Sequence, residues 1–210
     1  VVADVAATGA APASSVAALG AASDVVVVCV FSDDQVREVC DGEGGLLAHV
    51  SEGGAVVVHS TCAPDTVLRL AEAGAARGVA VLDAPFSGRV EDAVAGAITL
   101  LAAGPAALLA RVRPVLEAYC DPILHVGEVG DGQRVKLVNN ALFAASLALA
   151  GDAERLAEDL GLDPRVTLEA VAACSGDSFA VRSGLAAGSA RFLREAAGRY
   201  IDKDVATAAA

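Results

Sequence analysis

Trp and Met are absent from this sequence of 210 residues, and aromatic residues make up only 3% of it. The hydrophobic fraction is nevertheless 55%, so Ala, Val and Leu must build most of the core. Such small side chains allow helices and strands to approach one another closely, which favours a helix-rich α/β protein. A chain of this length can bury one large core or two small ones.

Basic residues are in the minority: 15 Lys and Arg stand against 27 Asp and Glu, which gives a net charge of −12. Nucleic acids and anionic membranes are bound through clustered Lys and Arg, so the charge argues against both as partners. The longest apolar run, around Val25 to Phe31, has the length of a strand and is too short to span a bilayer. We therefore predict a small-molecule partner.

Metal-binding, disulfide and export patterns are also missing. No C-x-x-C pair occurs, and the three histidines His49, His59 and His125 lie far apart in the sequence. The N-terminal residues contain no basic segment of the kind that opens a signal peptide. We therefore predict no metal site and reduced cysteines, as in a cytoplasmic protein. The cysteines are Cys29, Cys40, Cys62, Cys120 and Cys174.

Strand-like and helical segments alternate along the first part of the chain. The β-branched run at residues 23–31 predicts a strand buried on both faces, and Ser32 after it is suited to cap a helix. Further strands are predicted at residues 55–59, 79–83, 97–104 and 122–127, with helices in most of the intervals between them. This alternation indicates βαβ units and a mainly parallel sheet.

The pattern changes after Gly127. From Gln133 to Leu160 the apolar residues recur at helical spacing without a strand-like run, which predicts a helix of roughly 40 Å. Three glycines in "GEVGDG", residues 127–132, precede it and suit a hinge. We expect an α/β part at residues 1–127 and an all-helical part at 128–210. A helix this long either crosses between domains or subunits or is a bundle member.

One of the two lysines of the chain opens this helix, in "GQRVKLVNNALF". Lys136 and Asn140 are four residues apart, so they project from the same helix face and one substrate group could touch both. The alternative is that Lys136 extends to solvent while the asparagines bond locally. Partial burial and the positive end of the helix dipole both lower the pKa of a lysine at this position.

Two loops follow predicted strands at the edge where an open parallel sheet binds ligands. In "LDAPFSG", Ser87 and the Gly88 amide could hold an anion, or they could be ordinary turn residues. In "HSTCAPDT", Thr61 could contact a cofactor or only cap a helix. Cys62 is not favoured as a nucleophile because no base is indicated beside it.

Several segments, in their order along the chain, closely resemble the β-hydroxyacid dehydrogenases. They are "DVVVVCVFSDDQVREV", "HSTCAPDTVLRLAEAGAARGVAVLDAPFSG", "GAITLLAAG", "GDGQRVKLVNN" and "YIDKDVATAA". This family includes 3-hydroxyisobutyrate dehydrogenase and tartronate semialdehyde reductase, and 6-phosphogluconate dehydrogenase is a relative. The resemblance covers nearly the whole chain. It implies a partial Rossmann-type, doubly wound parallel sheet at residues 1–127 and an all-helical domain for substrate binding and dimerisation at 128–210.

The resemblance also implies an activity and its central residues. Hydride would pass between NAD or NADP and a short 3-hydroxy acid or semialdehyde, with Lys136 as the catalytic acid/base. Asn140 would hydrogen-bond the hydroxyl or carboxylate of the substrate, and Ser87 and Gly88 match the loop that holds the substrate carboxylate. A homodimer or homotetramer would form through the helical domain.

The cofactor-binding positions are implied in the same way. Lys203 matches the lysine beside the nicotinamide, and Thr61 matches the threonine at its ribose. Phe31 and Ser32 fall in the loop on the adenosine side. NAD and NADP are not distinguished, because the residue that selects between them belongs to a segment not seen in this sequence.

The sequence departs from the family pattern at several points. Arg89 replaces a second glycine after "SG", and the family's G-x-G-x-x-G turn, which binds the pyrophosphate, has no match. We therefore expect a chain truncated at both ends. One alternative is a non-catalytic remnant or dimerising module. Another is a decarboxylating enzyme of the 6-phosphogluconate type, which would need more basic residues than the helical half contains.

Overall fold

The computed structural model describes residues 2–209, with the backbone alone for residues 2, 199, 200 and 209. The chain divides into two compact units, Val1–Lys136 and Leu137–Ala210. This division lies inside one long helix. The boundary near residue 127 therefore stays a prediction about the functional domains.

The first unit contains a mixed sheet and short helices. Its strands are β1 (Val25–Val28), β2 (Ala55–Val58), β3 (Ala80–Asp83), β4 (Phe86–Ser87), β5 (Ile98–Ala103) and β6 (Cys120–Gly127). Its helices are α1 (Val2–Ala6), α2 (Val16–Ala21), α3 (Asp33–Cys40), α4 (Leu46–His49), α5 (Pro64–Ala75), α6 (Val90–Val94) and α7 (Ala106–Leu116).

The strand order is β1-β2-β3-β5-β4, with β6 paired to β5. Strands β1, β2 and β3 are parallel, as predicted, and β6 is parallel to β5. Strand β5, however, runs antiparallel to β3 and β4. A parallel return from β4 would need a crossover of about a dozen residues or more, and only ten residues, 88–97, separate β4 from β5. The α/β fold class is confirmed, with this one reversal.

Each face of the sheet covers a separate apolar core, as a doubly wound sheet requires. On β2, Val56 and Val58 enter the core that α3, α4 and α5 cover, whereas Val57 enters the core under α7. Strand β1 is less buried than predicted. Because β2 is its only described partner strand, β1 lies at the edge of the sheet and Val27 is 38% exposed.

The second unit is helical, as predicted. Helix α8 (Asp131–Asp159) begins in the first unit and continues into the second, followed by α9 (Pro164–Val171), α10 (Phe179–Ala187) and α11 (Ala190–Ala209). Its core is built from small and aliphatic residues: Leu147, Ala150, Leu168, Ala180, Val181, Ala190 and Ile201. The buried carboxylate of Glu154 caps α11, since it accepts hydrogen bonds from Ala190 N at 2.7 Å and Ser189 Oγ at 2.9 Å.

The buried leucine of β3 gives a test of the core under α7. Leu82 is 0% exposed, so Leu82→Ala should lower the free energy of unfolding by about 2 to 5 kcal/mol through lost burial and the cavity left behind. Leu124 lies on β6 and is 45% exposed, so Leu124→Ala is the matched control. It should lower the free energy of unfolding by less than about 1 kcal/mol. Urea unfolding followed by circular dichroism measures both. Equal losses would contradict the assigned core.

Candidate functional site

The predicted site residues of the first unit follow the ends of its strands. Thr61 comes three residues after β2 and is half-buried, and Ser87 ends β4 and is also half-buried. Gly88 next to it is exposed, with a φ of +152° that favours glycine. Because β2 and β3 are parallel, the segments that follow them leave the sheet at the same edge.

Asp83, the last residue of β3, is fully buried among hydrogen-bond donors. Its Oδ2 accepts from Gly130 N at 2.9 Å and from Gln133 N at 3.2 Å, and its Oδ1 accepts from Gln133 Nε2 at 2.9 Å. These donors belong to the start of α8. A carboxylate from β3 therefore caps the helix that carries Lys136.

Gln133 is also fully buried, and it connects Asp83 to the loop after β2. Its Nε2 donates to Ser60 O at 3.1 Å, and its Oε1 accepts from Cys62 N at 3.0 Å. The amide thus binds the peptide groups on both sides of Thr61. We call Asp83, Gln133 and their partners Ser60, Cys62 and Gly130 the buried polar cluster.

Sequence reasoning did not assign a role to Asp83 or Gln133. A carboxylate that ends a buried strand must find donors, and a glutamine in the first turn of an apolar helix is a candidate partner. Those two signals were present in "VLD" and "GDGQRVK". They did not reveal that the two residues meet.

Burial has a measurable effect on Asp83. Desolvation raises the pKa of this carboxyl to about 6, although the hydrogen bonds from Gln133 and Gly130 act in the opposite direction. The donors are neutral, so they offset only part of the cost of burying the charge. Asp83 is still mostly ionised at neutral pH.

Lys136 lies three residues after Gln133 on α8 and is 9% exposed. The prediction that this lysine is at least partly buried is confirmed. Gly132, just before Gln133, leaves room for the cluster, because a Cβ there would meet Leu101 O at 2.8 Å and Asp83 Oδ2 at 2.9 Å. The second glycine of "GDG" therefore allows Asp83 to approach the helix.

Phe31 and Ser32 lie between β1 and α3. Ser32 caps α3 as predicted: its Oγ accepts from Gln35 N at 3.2 Å, while Gln35 Oε1 accepts from Phe31 N at 2.9 Å. The Phe31 side chain is 46% exposed. The loop is tied to the segment after β2, since Val30 N donates to Ser60 Oγ at 2.7 Å.

His59, the residue after β2, is hydrogen-bonded to the backbone of the "DAPFSG" segment. Its Nδ1 lies 2.6 Å from Ala84 O, so this nitrogen carries the proton, and Nε2 accepts from the Tyr119 hydroxyl at 2.9 Å. Desolvation lowers the pKa of His59 to about 4, which keeps the ring neutral. His59 is a structural residue in this arrangement.

The second unit brings together two of the predicted residues through a third. Asn140 Nδ2 donates to Asp204 Oδ2 at 2.5 Å, and Lys203 Nζ pairs with Asp204 Oδ1 at 2.6 Å. Asp204 is 6% exposed. The sequence marked Asn140 and Lys203, but it did not show that Asp204 orients both.

Arg89, the departure from the family pattern, lies at the surface. Its side chain is 73% exposed, and Nε is 3.9 Å from carboxylate oxygens of Glu91 and Asp92. Arg89 also precedes α6, and its backbone N donates to Asp92 Oδ2 at 2.7 Å. Two acids from α6 therefore partly neutralise the added charge.

Within residues 2–209, no group of three His, Cys, Asp or Glu side chains is placed to hold a metal ion. No helix in the described part of the chain is both long and apolar enough to cross a membrane. All five cysteines are free thiols.

Two family models match successive parts of the chain. Residues 1–127 match the model described as the NAD binding domain of 6-phosphogluconate dehydrogenase. Residues 130–210 match that described as NAD-binding of NADP-dependent 3-hydroxyisobutyrate dehydrogenase. The chain belongs to the β-hydroxyacid dehydrogenase family. The resemblance stated from the sequence is confirmed, and NAD or NADP is the cofactor class of this family.

Curated members of the β-hydroxyacid dehydrogenase family align with most of the chain. The 3-hydroxyisobutyrate dehydrogenase of Pseudomonas aeruginosa is 40% identical over 161 residues, which cover 76% of this chain and 53% of the relative. The 2-(hydroxymethyl)glutarate dehydrogenase of Eubacterium barkeri is 33% identical over 182 residues, 87% of this chain and 60% of the relative. The chain thus spans little more than half the length of these curated relatives.

Solved structures share the fold. Psf3 in complex with NADP+ and 2-OPP has a TM-score of 0.86 and 29% identity, covering 98% of this chain and 73% of that one. The 3-hydroxyisobutyrate dehydrogenase from Salmonella typhimurium has a TM-score of 0.83 and 28% identity, covering 99% and 73%. These matches confirm the predicted fold class.

The first unit fits part of a dinucleotide of the family's cofactor class. The segments after β1 and β2 place Phe31, Ser32 and Thr61 beyond the carboxyl ends of parallel strands, where such ligands bind. The 210 residues contain no G-x-G-x-x-G turn for the pyrophosphate. The strand-end segments are thus placed as in a dinucleotide-binding sheet, whereas the turn that would hold the pyrophosphate is not in this sequence.

The raised pKa of Asp83 predicts a pH-dependent contribution to stability. The folded pKa, about 6, exceeds the ordinary value of 3.8, so the folded state resists ionisation of this group. The contribution of Asp83 to the free energy of unfolding should thus fall by up to about 3 kcal/mol as pH rises from roughly 4 to 6. Urea unfolding of the wild type and Asp83→Asn across this range gives the difference.

Asp131→Asn serves as the control of opposite sign. A hydrogen bond from Arg134 lowers the pKa of Asp131, so its contribution to stability should rise with pH. A wild-type advantage over Asp83→Asn that stays flat or grows with pH would contradict the assignment of Asp83.

Proposed function

We propose that this protein is an NAD(P)-dependent oxidoreductase that acts on a short 3-hydroxy acid or the corresponding semialdehyde, in the manner of a 3-hydroxyisobutyrate dehydrogenase. The observation that carries the proposal is the buried position of Lys136 near the start of α8, in a chain of this family with only one other lysine. The names of the relatives support the hydroxy acid class. We also propose the cytoplasm, which keeps thiols reduced, as the compartment.

Lys136 is proposed to move the hydroxyl proton. The bound nicotinamide would supply or accept the hydride at the carbinol carbon. In the oxidative direction the neutral Lys136 Nζ takes the proton of the substrate hydroxyl, and in the reductive direction the ammonium returns it.

Ser87, Gly88 and Asn140 are proposed to hold the substrate. The Ser87 hydroxyl and the Gly88 amide are donors that suit a carboxylate. Asn140 lies one turn after Lys136 on α8, and Asp204 fixes the orientation of its amide. The substrate hydroxyl would then meet an acid/base and an amide that share one helix face.

Phe31, Ser32, Thr61 and Lys203 are proposed to contact the cofactor. Phe31 and Ser32 would take the adenosine side, while Thr61 would bond the nicotinamide ribose. Lys203 would lie beside the nicotinamide, and its pairing with Asp204 restrains the ammonium.

A second candidate function is a non-catalytic, dimerising module of the same family. The observation that favours it is the exposed apolar stripe on α8, formed by Val138, Leu142, Leu149 and Leu156. A decarboxylating enzyme of the 6-phosphogluconate type is less well supported, because most of the basic side chains that the structure describes in the second unit pair with carboxylates. Arg155, Arg165, Arg182 and Arg191 all pair with carboxylates.

We also propose a homodimer, or a tetramer built from dimers, through α8. The described part of this helix exposes Val138 (70%), Leu142 (68%), Leu149 (68%) and Leu156 (58%). Their spacing of four, seven and seven residues places them on one stripe, as in a coiled-coil seam. An exposed apolar stripe of this kind favours association with a second copy.

The acid/base role predicts the effect of removing the amine. Lys136→Ala should lower kcat by about 10²- to 10⁴-fold while the dissociation constant of NADH or NADPH changes little. Turnover of a panel of hydroxy acids and semialdehydes, together with fluorescence titration of both cofactors, measures the two quantities. Added alkylamines should restore part of the activity of Lys136→Ala.

The same titration decides between the candidate functions. Tight binding of NADH or NADPH to the wild-type chain would exclude the non-catalytic module. Lack of binding would support it and refute the oxidoreductase. Substantial turnover by Lys136→Ala would refute the role of the lysine alone.

The stripe on α8 predicts the effect of a single added charge. Leu142→Glu should convert the dimer into a monomer of about 20.8 kDa, because a carboxylate at the seam is costly to bury. Asn139→Glu adds the same charge at an exposed position beside the stripe and should leave the dimer intact. Light scattering coupled to size-exclusion chromatography gives both masses. A wild-type monomer at all concentrations would contradict the interface.

A further inference from the structure

We propose that Asp83 and Gln133 are positioning residues that hold Lys136 and Thr61 in place for the reaction. The inference rests on the proposed function for the roles of Lys136 and Thr61. It assigns no contact between the pair and the substrate. It concerns only the first unit, where both residues are 0% exposed.

The first step concerns the start of α8. Gly130, which precedes the helix, has a φ of +95° and no side chain with which to cap the first turn. Asp83 takes over that function from β3 by accepting from Gly130 N and Gln133 N. The orientation of the first turn is therefore set by the end of β3.

The second step leads from the cap to the lysine. Gln133 and Lys136 are three residues apart on α8, so they lie on neighbouring positions of one helix face. Fixing the Gln133 side chain and backbone to Asp83 fixes the rotation of the helix about its axis. The direction in which Lys136 leaves the helix follows from that rotation.

The third step concerns Thr61. Gln133 donates to Ser60 O and accepts from Cys62 N, so a single amide binds the backbone before and after Thr61. Its second N–H is taken by Asp83 Oδ1. Every strong donor of this amide is used, and a carboxylate in its place would oppose Ser60 O and Asp83.

The same cluster joins the substrate loop to the helix. Asp83 is followed by Ala84 and Pro85 and then by β4, which ends in Ser87. The loop after β2, the loop after β3 and the start of α8 are thus all connected through the side chains of Asp83 and Gln133. A buried polar network of this kind fixes one arrangement, because any other leaves groups without partners.

The alternative is that Asp83 and Gln133 only stabilise the fold as a whole. Amide hydrogen exchange distinguishes that role from local positioning. Because the chain has two lysines, a sample labelled with ¹⁵N-lysine gives two backbone amide signals, from Lys136 and Lys203. Lys203→Arg assigns them. Lys136 reports the first turns of α8, and Lys203, on α11, is an internal reference for global unfolding.

The test uses the near-isosteric variants Asp83→Asn and Gln133→Glu on the complete chain. Each should speed exchange of the Lys136 amide by about tenfold or more, while the Lys203 amide changes less than about threefold. When both substitutions are combined, the amide introduced on β3 can donate to the carboxylate introduced on α8. The Lys136 amide should then exchange more slowly than in either single variant.

A milder variant covers the case in which these substitutions prevent folding. Gly132→Ala adds one methyl group against Leu101 O and the Asp83 carboxylate. Helix propensity alone predicts slower exchange at Lys136, because alanine favours helix more than glycine does. Displacement of Asp83 predicts faster exchange. Faster exchange at Lys136 in Gly132→Ala therefore supports the positioning role, and slower exchange contradicts it.

Arg134→Gln is the matched control, since Arg134 lies in the same turn but is exposed and pairs with Asp131. It should change Lys136 exchange by less than about threefold. The proposal is overturned if Lys136 exchange does not respond to the cluster variants, or if both lysine amides respond equally. It is also overturned if Arg134→Gln has the same effect.

Exchange is measured without cofactor or substrate, so its outcome does not depend on turnover. If the protein proves non-catalytic, a selective effect at Lys136 still shows that Asp83 and Gln133 hold the start of α8, while the role in the reaction fails with the proposed function. If Lys136→Ala abolishes turnover but the cluster variants leave exchange and kcat unchanged, the proposed function stands and the positioning role fails.

Discussion

The rest of the first unit depends on the burial of one carboxylate. Asp83 ends β3 without access to water, and an ion in that position must be met by donors. The donors come from Gly130 and Gln133, so the helix can begin in only one place and orientation. The start of α8 is thus fixed by a side chain that is distant in sequence.

The hydrogen bonds extend from this carboxylate to the other strand ends. Gln133 binds the backbone around Thr61, and Ser60 Oγ accepts from Val30 N after β1. The segments that follow β1, β2 and β3 are therefore linked to one another. A dinucleotide and a substrate both require such an edge to be rigid, because catalysis depends on placing reacting atoms precisely.

The second unit also contains a buried carboxylate that caps a helix, but its pKa shifts in the opposite direction. Glu154 also caps a helix from a distance. Burial raises the pKa of Glu154, but hydrogen bonds from Ala190 and Ser189 and the charge of Arg191 outweigh it, so the pKa is lowered. Asp83 has only neutral donors, and desolvation prevails. The balance between desolvation and the donated hydrogen bonds decides whether a buried cap prefers to be charged.

The sequence alone determined the features that arise from neighbouring residues. The valine runs, the Ser32 cap, the helix from "GDGQRVK" onward and the order of the motifs were all recognised, and they led to the correct family. Tertiary structure decided which distant groups meet. Asp83 and Gln133 are 50 residues apart, and Asn140 and Asp204 are 64 apart. It also placed β5 antiparallel to β3 and β4. Local propensity carries no information on such contacts, because they arise only when packed elements bring buried polar groups together.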